Sequence, residues 1–256
     1  MKNPTTTNFV HNANSSLKIS RRDTMQLSVG ALAGVSLASL TASDAAAQPA
    51  AQATPPTPEN LVEKPLRNIQ KLPLNADGSA PEYSPQEAGT ITGVLWRTNN
   101  QTPQIEFDYR KMKVKVDARG TAKLSGTLTF PDLEKLPRHS YVTLLQCGAP
   151  TPRGIVKWTG VRFSDFVKMV GAQSFANYVR LTGSDGYFLD EDMTTMMNPQ
   201  VVLTWLLNDG PIPPQHGSPL RLIVPFRYGA RSIKAITDIE FTATTFTPPK
   251  PWPTRA

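Results

Sequence analysis

The chain has 256 residues, 39% apolar and 18% charged, with 24 Pro and a mean hydropathy of -0.30, which describes a globular domain and excludes a fibre, a disordered chain and a multispan membrane protein. A single cysteine, Cys147, excludes an internal disulfide framework, a thiolate zinc site and an iron–sulfur cluster, and the absence of C-x-x-C-H excludes c-type haem. The formal net charge is +7, and +5 remains beyond residue 47, where Lys2, Lys18, Arg21 and Arg22 stand against Asp23 and Asp44; this suits an anionic ligand or plain solubility, with no basic run dense enough for nucleic acid.

Residues 1–47 read as an export signal. A polar region containing Ser20-Arg21-Arg22 is followed by an apolar stretch from Leu27 to Leu40 and by Ala45-Ala46-Ala47 before Gln48. The stretch is too short to span a bilayer. The paired arginines resemble a twin-arginine signal, which implies export of a folded, cofactor-loaded protein to the periplasm and no stable membrane insertion once the signal is cleaved. Residues 48–60, QPAAQATPPTPEN, have the composition of a flexible linker, so the ordered domain is expected over 61–256. His11 falls in the signal, leaving His139 and His216, too few for a three-histidine metal site.

Residues 61–107 are rich in Pro, Gly and Asn and read as loops wrapping a later core. Met112, Val114 and Val116 alternate with lysines, a strand with one wet face. PDLEKL from Pro131 predicts a short helix with proline in its first turn. VTLLQC, from Val142 to Cys147, predicts a buried strand that ends on the cysteine. Ser164 and Gly171 bracket an expected helix containing Phe163, Phe166, Val167 and Val170. A second helix is expected from Asn198-Pro199 through VVLTWLL to Asn208-Asp209-Gly210. LRLIVP, from Leu220 to Pro225, predicts another buried strand, and IKAITDIEFTATTF a strand of broken pattern. The sum is a strand-rich α+β domain without βαβ alternation, and no nucleotide-binding glycine motif is present.

Two places could carry chemistry. Cys147 is followed by the turn-rich stretch Gly148 to Gly154, which places the sulfur at a strand end facing a cleft, although a lone cysteine is more often an inert small hydrophobe. The stretch from Asp209 to Lys234 holds His216, Arg221, Arg227, Arg231, Ser232 and Lys234 with glycines at 210, 217 and 229, the requirements of a phosphate cradle; a solvated basic loop is the bland alternative. A cysteine nucleophile activated by His216, or a ligand-binding pocket without turnover, are the rival readings.

LLQCGAP, KWTGVRFSDF, SDGYFLDEDM, NDGPIPPQHGSPLRLIVP and YGARSIKAI, in that order, resemble the molybdopterin-binding domain of the sulfite oxidase family, with the likeness running from about Leu66 to Phe246. The resemblance implies molybdenum and molybdopterin as cofactors, with Cys147 as the thiolate on the metal, a soft ligand suited to it. It places His216 and Arg221 against the pterin and Arg231, Ser232 and Lys234 on its terminal phosphate. Tyr187 would project toward the metal, Arg97 and neighbouring Asn99 would hold substrate and cofactor, and Arg153, which follows Pro152 where the family has a second arginine, would assist. The implied reaction is oxygen-atom transfer on a small oxyanion or a sulfoxide. Arg97 favours sulfite oxidation with a separate c-type cytochrome as acceptor over sulfoxide reduction fed by a membrane quinol partner. With the sequence ending at Ala256, no dimerisation domain and a monomer are expected.

Overall fold

The structure, a computed structural model, describes residues 64–65, 68–98 and 101–247; the signal, the linker and Asn99 lie outside these. Alternating apolar residues build β1 (Lys113–Asp117), in which Val114 and Val116 are buried and the lysines exposed. It pairs with β2 (Gly126–Thr129), after which Pro131 opens α1 (Phe130–Glu134) as expected. Then come β3 (Arg138–Gln146), β4 (Arg153–Arg162), α2 (Phe163–Val170), β5 (Tyr178–Gly183), β6 (Phe188–Asp192), α3 (Met193–Met196), β7 (Val202–Leu207), β8 (Gly210–Pro211), β9 (Arg221–Ile223) and β10 (Ile236–Thr242). One sheet has the order β2-β1-β10-β5-β6, in which β1 and β10 are parallel; the other has β3-β4-β7-β8, with β9 also on β7. The domain is therefore the expected strand-rich α+β type. Among the described residues no helix is long and apolar enough to cross a membrane.

The main core lies between the sheets and α2, where Val114, Leu181 and Ile239 meet Val161, Leu203, Trp205 and Leu222 beside Phe163 and Phe166. A smaller core of Leu145, Val156, Trp158, Val202, Ile212 and Ile223 covers the other face of the second sheet. That sheet is thus buried on both sides, which corrects the helix expected over VVLTWLL: it is β7, a central strand whose run is continuously apolar because neither face is wet. Its expected glycine stop is a hairpin turn, with Asn208 and Asp209 at φ 49° and 65° leading into β8; Asn and Asp tolerate this left-handed backbone. Helix α2 begins at Phe163, one residue before the expected Ser164 cap, because β4 runs directly into it, and it closes on left-handed Gly171 as expected. The broken pattern of β10 has its cause in a register shift between Ile236 and Asp238 against β5.

Strands β4 and β7 approach closely at Gly160, where a Cβ would lie 1.9 Å from the Leu203 carbonyl oxygen. Gly160→Ala is expected to cost at least about 2 kcal/mol by forcing the strands apart, a fall of roughly 4–8 °C in Tm by calorimetry.

Candidate functional site

The β3–β4 hairpin is the firmest support of the site. Nine residue pairs run from Arg138↔Val161 to Gln146↔Arg153, and the connection begins on Cys147, whose N–H donates to the Pro152 carbonyl at 3.0 Å. The cysteine is partly exposed and opens onto a cavity of about 410 Å³. Three further stretches complete the wall: Ile91 to Arg97, the β5–β6 turn with Asp185 and Tyr187, and His216 to Lys234.

Arg221, the first residue of β9, is 4% exposed. Its Nη1 donates to the His216 carbonyl at 2.6 Å and its guanidinium lies 5.0 Å from the Trp158 ring centroid. Its Nε has no hydrogen-bond partner among the described residues, and no carboxylate pairs with it there, so burial alone holds its pKa down to about 9. Lys234 lies with Nζ 3.8 Å from the Trp96 ring centroid and donates to the Gln215 carbonyl at 3.2 Å. Burial first, then Arg221, lowers its pKa to about 7, against a small opposing pull from Asp185. The same two causes, burial and cationic neighbours, lower His216 to about 4. Gly217, at φ 106°, makes this packing possible, since a Cβ there would lie 2.7 Å from the Lys234 side chain. Ser232 is buried on the same wall, with Oγ accepting from the Val224 N–H at 3.1 Å.

At the end of the cavity formed by Arg97 and Tyr187, the guanidinium of Arg97 stands 5.7 Å from the ring centroid of Tyr187. The Tyr187 hydroxyl donates to the Ala230 carbonyl at 3.0 Å. Burial raises its pKa against the opposing charges of Arg231 and Arg97, so it stays protonated at neutral pH.

The structure thus gathers Arg97, Cys147, Tyr187, His216, Arg221, Ser232 and Lys234 around one cavity. Two expected residues are not in its lining. Arg231 is drawn to β6, where its Nη1 lies 3.3 Å from Glu191 Oε1 and 3.4 Å from the Asp190 carbonyl. Arg153 is exposed at the start of β4, its backbone paired with Thr92. Sequence reasoning missed Asp185 and the cation–π role of Trp96; Asp185 announces itself only as an Asp before a turn glycine in SDGY.

The depressed pKa of Lys234 carries a stability consequence. Between about 7 and its ordinary 10.5 the unfolded chain binds a proton that the folded protein lacks, so stability rises with pH. Tm of protein purified without cofactor is expected to rise from pH 7 to pH 9, and Lys234→Met to flatten that rise, as calorimetry across the range would register.

Residues 99–250 match the family described as the oxidoreductase molybdopterin binding domain. The catalytic subunit MsrP of the protein-methionine-sulfoxide reductase of Campylobacter jejuni is 30% identical over 145 residues, covering 50% of this chain and 48% of that protein. The mitochondrial sulfite oxidase of Drosophila melanogaster is 26% identical over 206 residues, 68% of this chain and 34% of that protein. The chain therefore spans about half the length, or less, of these curated relatives. Among solved structures, the sulfane dehydrogenase SoxCD of Paracoccus pantotrophus shares the fold with a TM-score of 0.51 at 18% identity, covering 70% of this chain and 50% of that one. With more than half of its length matched, and the cysteine and the cationic wall inside the matched part, the chain belongs to the oxidoreductase molybdopterin-binding domain family.

Proposed function

We propose that this chain is a periplasmic molybdenum-molybdopterin enzyme that oxidises sulfite to sulfate and hands two electrons singly to a separate c-type cytochrome. The residues fit the cofactor: a soft sulfur ligand, Cys147, shares one cavity with Arg221, a buried cation that among the described residues has no counter-charge and one unmade hydrogen bond. Cys147 would hold the metal, His216 and Arg221 the pterin, and Ser232 and Lys234 its phosphate. Asn99 and Arg231 are kept as further cofactor contacts on the resemblance alone, as is Arg153 for substrate. When bound, the cofactor supplies a two-electron centre able to exchange an oxygen atom with sulfur.

The carrying observation is Arg97 in the wall shared with Cys147. Its guanidinium attracts and orients a doubly charged oxyanion, while the Tyr187 ring stands beside it with its hydroxyl anchored on the Ala230 carbonyl. Sulfite and water give sulfate, two protons and two electrons. A second reading, sulfoxide reduction fed by a membrane quinol, is favoured by the apolar lining residues Ile91, Val94 and Leu95, the last 50% exposed, a surface suited to a thioether side chain. Periplasmic placement rests on the twin-arginine-type signal, and the protein is proposed to act as a monomer.

Wild-type protein from a molybdenum-replete host is expected to contain stoichiometric metal and Cys147→Ser almost none, by elemental analysis. Steady-state assays with sulfite and cytochrome c should show turnover, with KM raised about tenfold in Arg97→Met; turnover of a sulfoxide with reduced viologen, and none of sulfite, would select the second reading.

A further inference from the structure

Arg97 and Tyr187 belong to separate parts of the chain, yet one carboxylate binds the backbone of both. Asp185 Oδ2 accepts from the Arg97 N–H and Oδ1 from the Tyr187 N–H, each at 3.1 Å, and the first of these contacts joins residues 88 positions apart. The turn that carries Asp185 is closed by the Gly186 N–H on the Gly183 carbonyl at 2.9 Å and the Gly183 N–H on the Tyr187 carbonyl at 2.7 Å. Gly186 adopts φ 73°, and a Cβ on Gly183 would lie 3.2 Å from Asp185 Oδ1 and 2.6 Å from the Lys234 carbonyl oxygen. Glycine at 183 therefore leaves room for the carboxylate to lie in the wall of the cavity.

We infer that Asp185 is a positioning residue that sets the spacing between the Arg97 guanidinium and the Tyr187 hydroxyl at the substrate end of the cavity, an inference that rests on the oxyanion role given to Arg97 above. The chemistry requires two acceptor oxygens. Asparagine of the same shape offers one, and turns an N–H toward a backbone N–H at the other. One of the two segments then loses its hydrogen bond to residue 185, while the charge of Arg97 and the hydroxyl of Tyr187 are untouched. Substrate orientation tolerates little such drift.

The test compares cofactor-loaded, full-length wild type with Asp185→Asn and, as a second perturbation of the same carboxylate, Gly183→Ala. Amide hydrogen exchange resolved at Arg97 and Tyr187 should accelerate at least about tenfold at one of them in Asp185→Asn, and KM for sulfite should rise about tenfold or more with a smaller change in kcat. Unaltered exchange at both amides in both variants overturns the inference. So does an unmoved KM, whether kcat is kept or falls, since a lower kcat alone is the pattern of a partly unfolded population. If Asp185→Asn does not load metal, amide exchange in the unloaded variant decides, because the methyl of Gly183→Ala would also press on the Lys234 carbonyl and leave its KM shared between two causes. Should wild type oxidise no sulfite, the functional reading fails, and the exchange measurement alone decides whether Asp185 ties the two segments together.

Discussion

A guanidinium buried without a counter-charge is the constraint around which this domain is arranged. Arg221 begins a strand in the second sheet, rests on Trp158 and gives one hydrogen bond to the His216 carbonyl, and nothing else among the described residues neutralises it. Burying a charge in this way is costly unless a partner arrives. Lys234 adds to the same field, while His216, its pKa lowered to about 4, stays neutral at neutral pH, so the cavity is disposed toward an anion by Arg221 and Lys234. The rest of the fold can be understood as the frame that holds this field in place: two sheets, one of them buried on both faces, with a small core of its own under the cavity floor.

The sulfur arrives by a different route. A long, regularly paired hairpin carries Cys147 to its tip, and the connection beyond it is short and closed by its own backbone hydrogen bond. The proposed metal ligand and the anion-binding wall thus come from separate structural devices, one a rigid ribbon and the other an irregular stretch threaded through glycines. Rigidity at the ligand and conformational licence at the cradle suit a site that must fix one atom and wrap a larger organic group.

Much of this could be read from the residues. Alternation predicted β1, a continuous apolar run predicted β3 and β9, and Pro131 marked α1, because each of these signals is local. The run VVLTWLL misled for a physical reason: a strand buried on both faces and a buried helix look alike when every residue is apolar, and only neighbouring strands decide between them. The cationic wall was legible because its residues are close in sequence. Arg231 was not, since its pull toward Glu191 depends on a strand from elsewhere in the fold. Asp185 was invisible for the same cause: its partner Arg97 is remote, and no periodicity records a carboxylate meeting a distant backbone amide.

The walls of the cavity are scattered along the chain, from Ile91 through Cys147 and Tyr187 to Lys234. A polypeptide still emerging from the ribosome would display the arginine and the thiol long before the lysine that completes the pocket exists. If the cavity takes the large organic ligand proposed for it, insertion therefore belongs after synthesis, to a finished molecule whose wall is complete from Ile91 to Lys234.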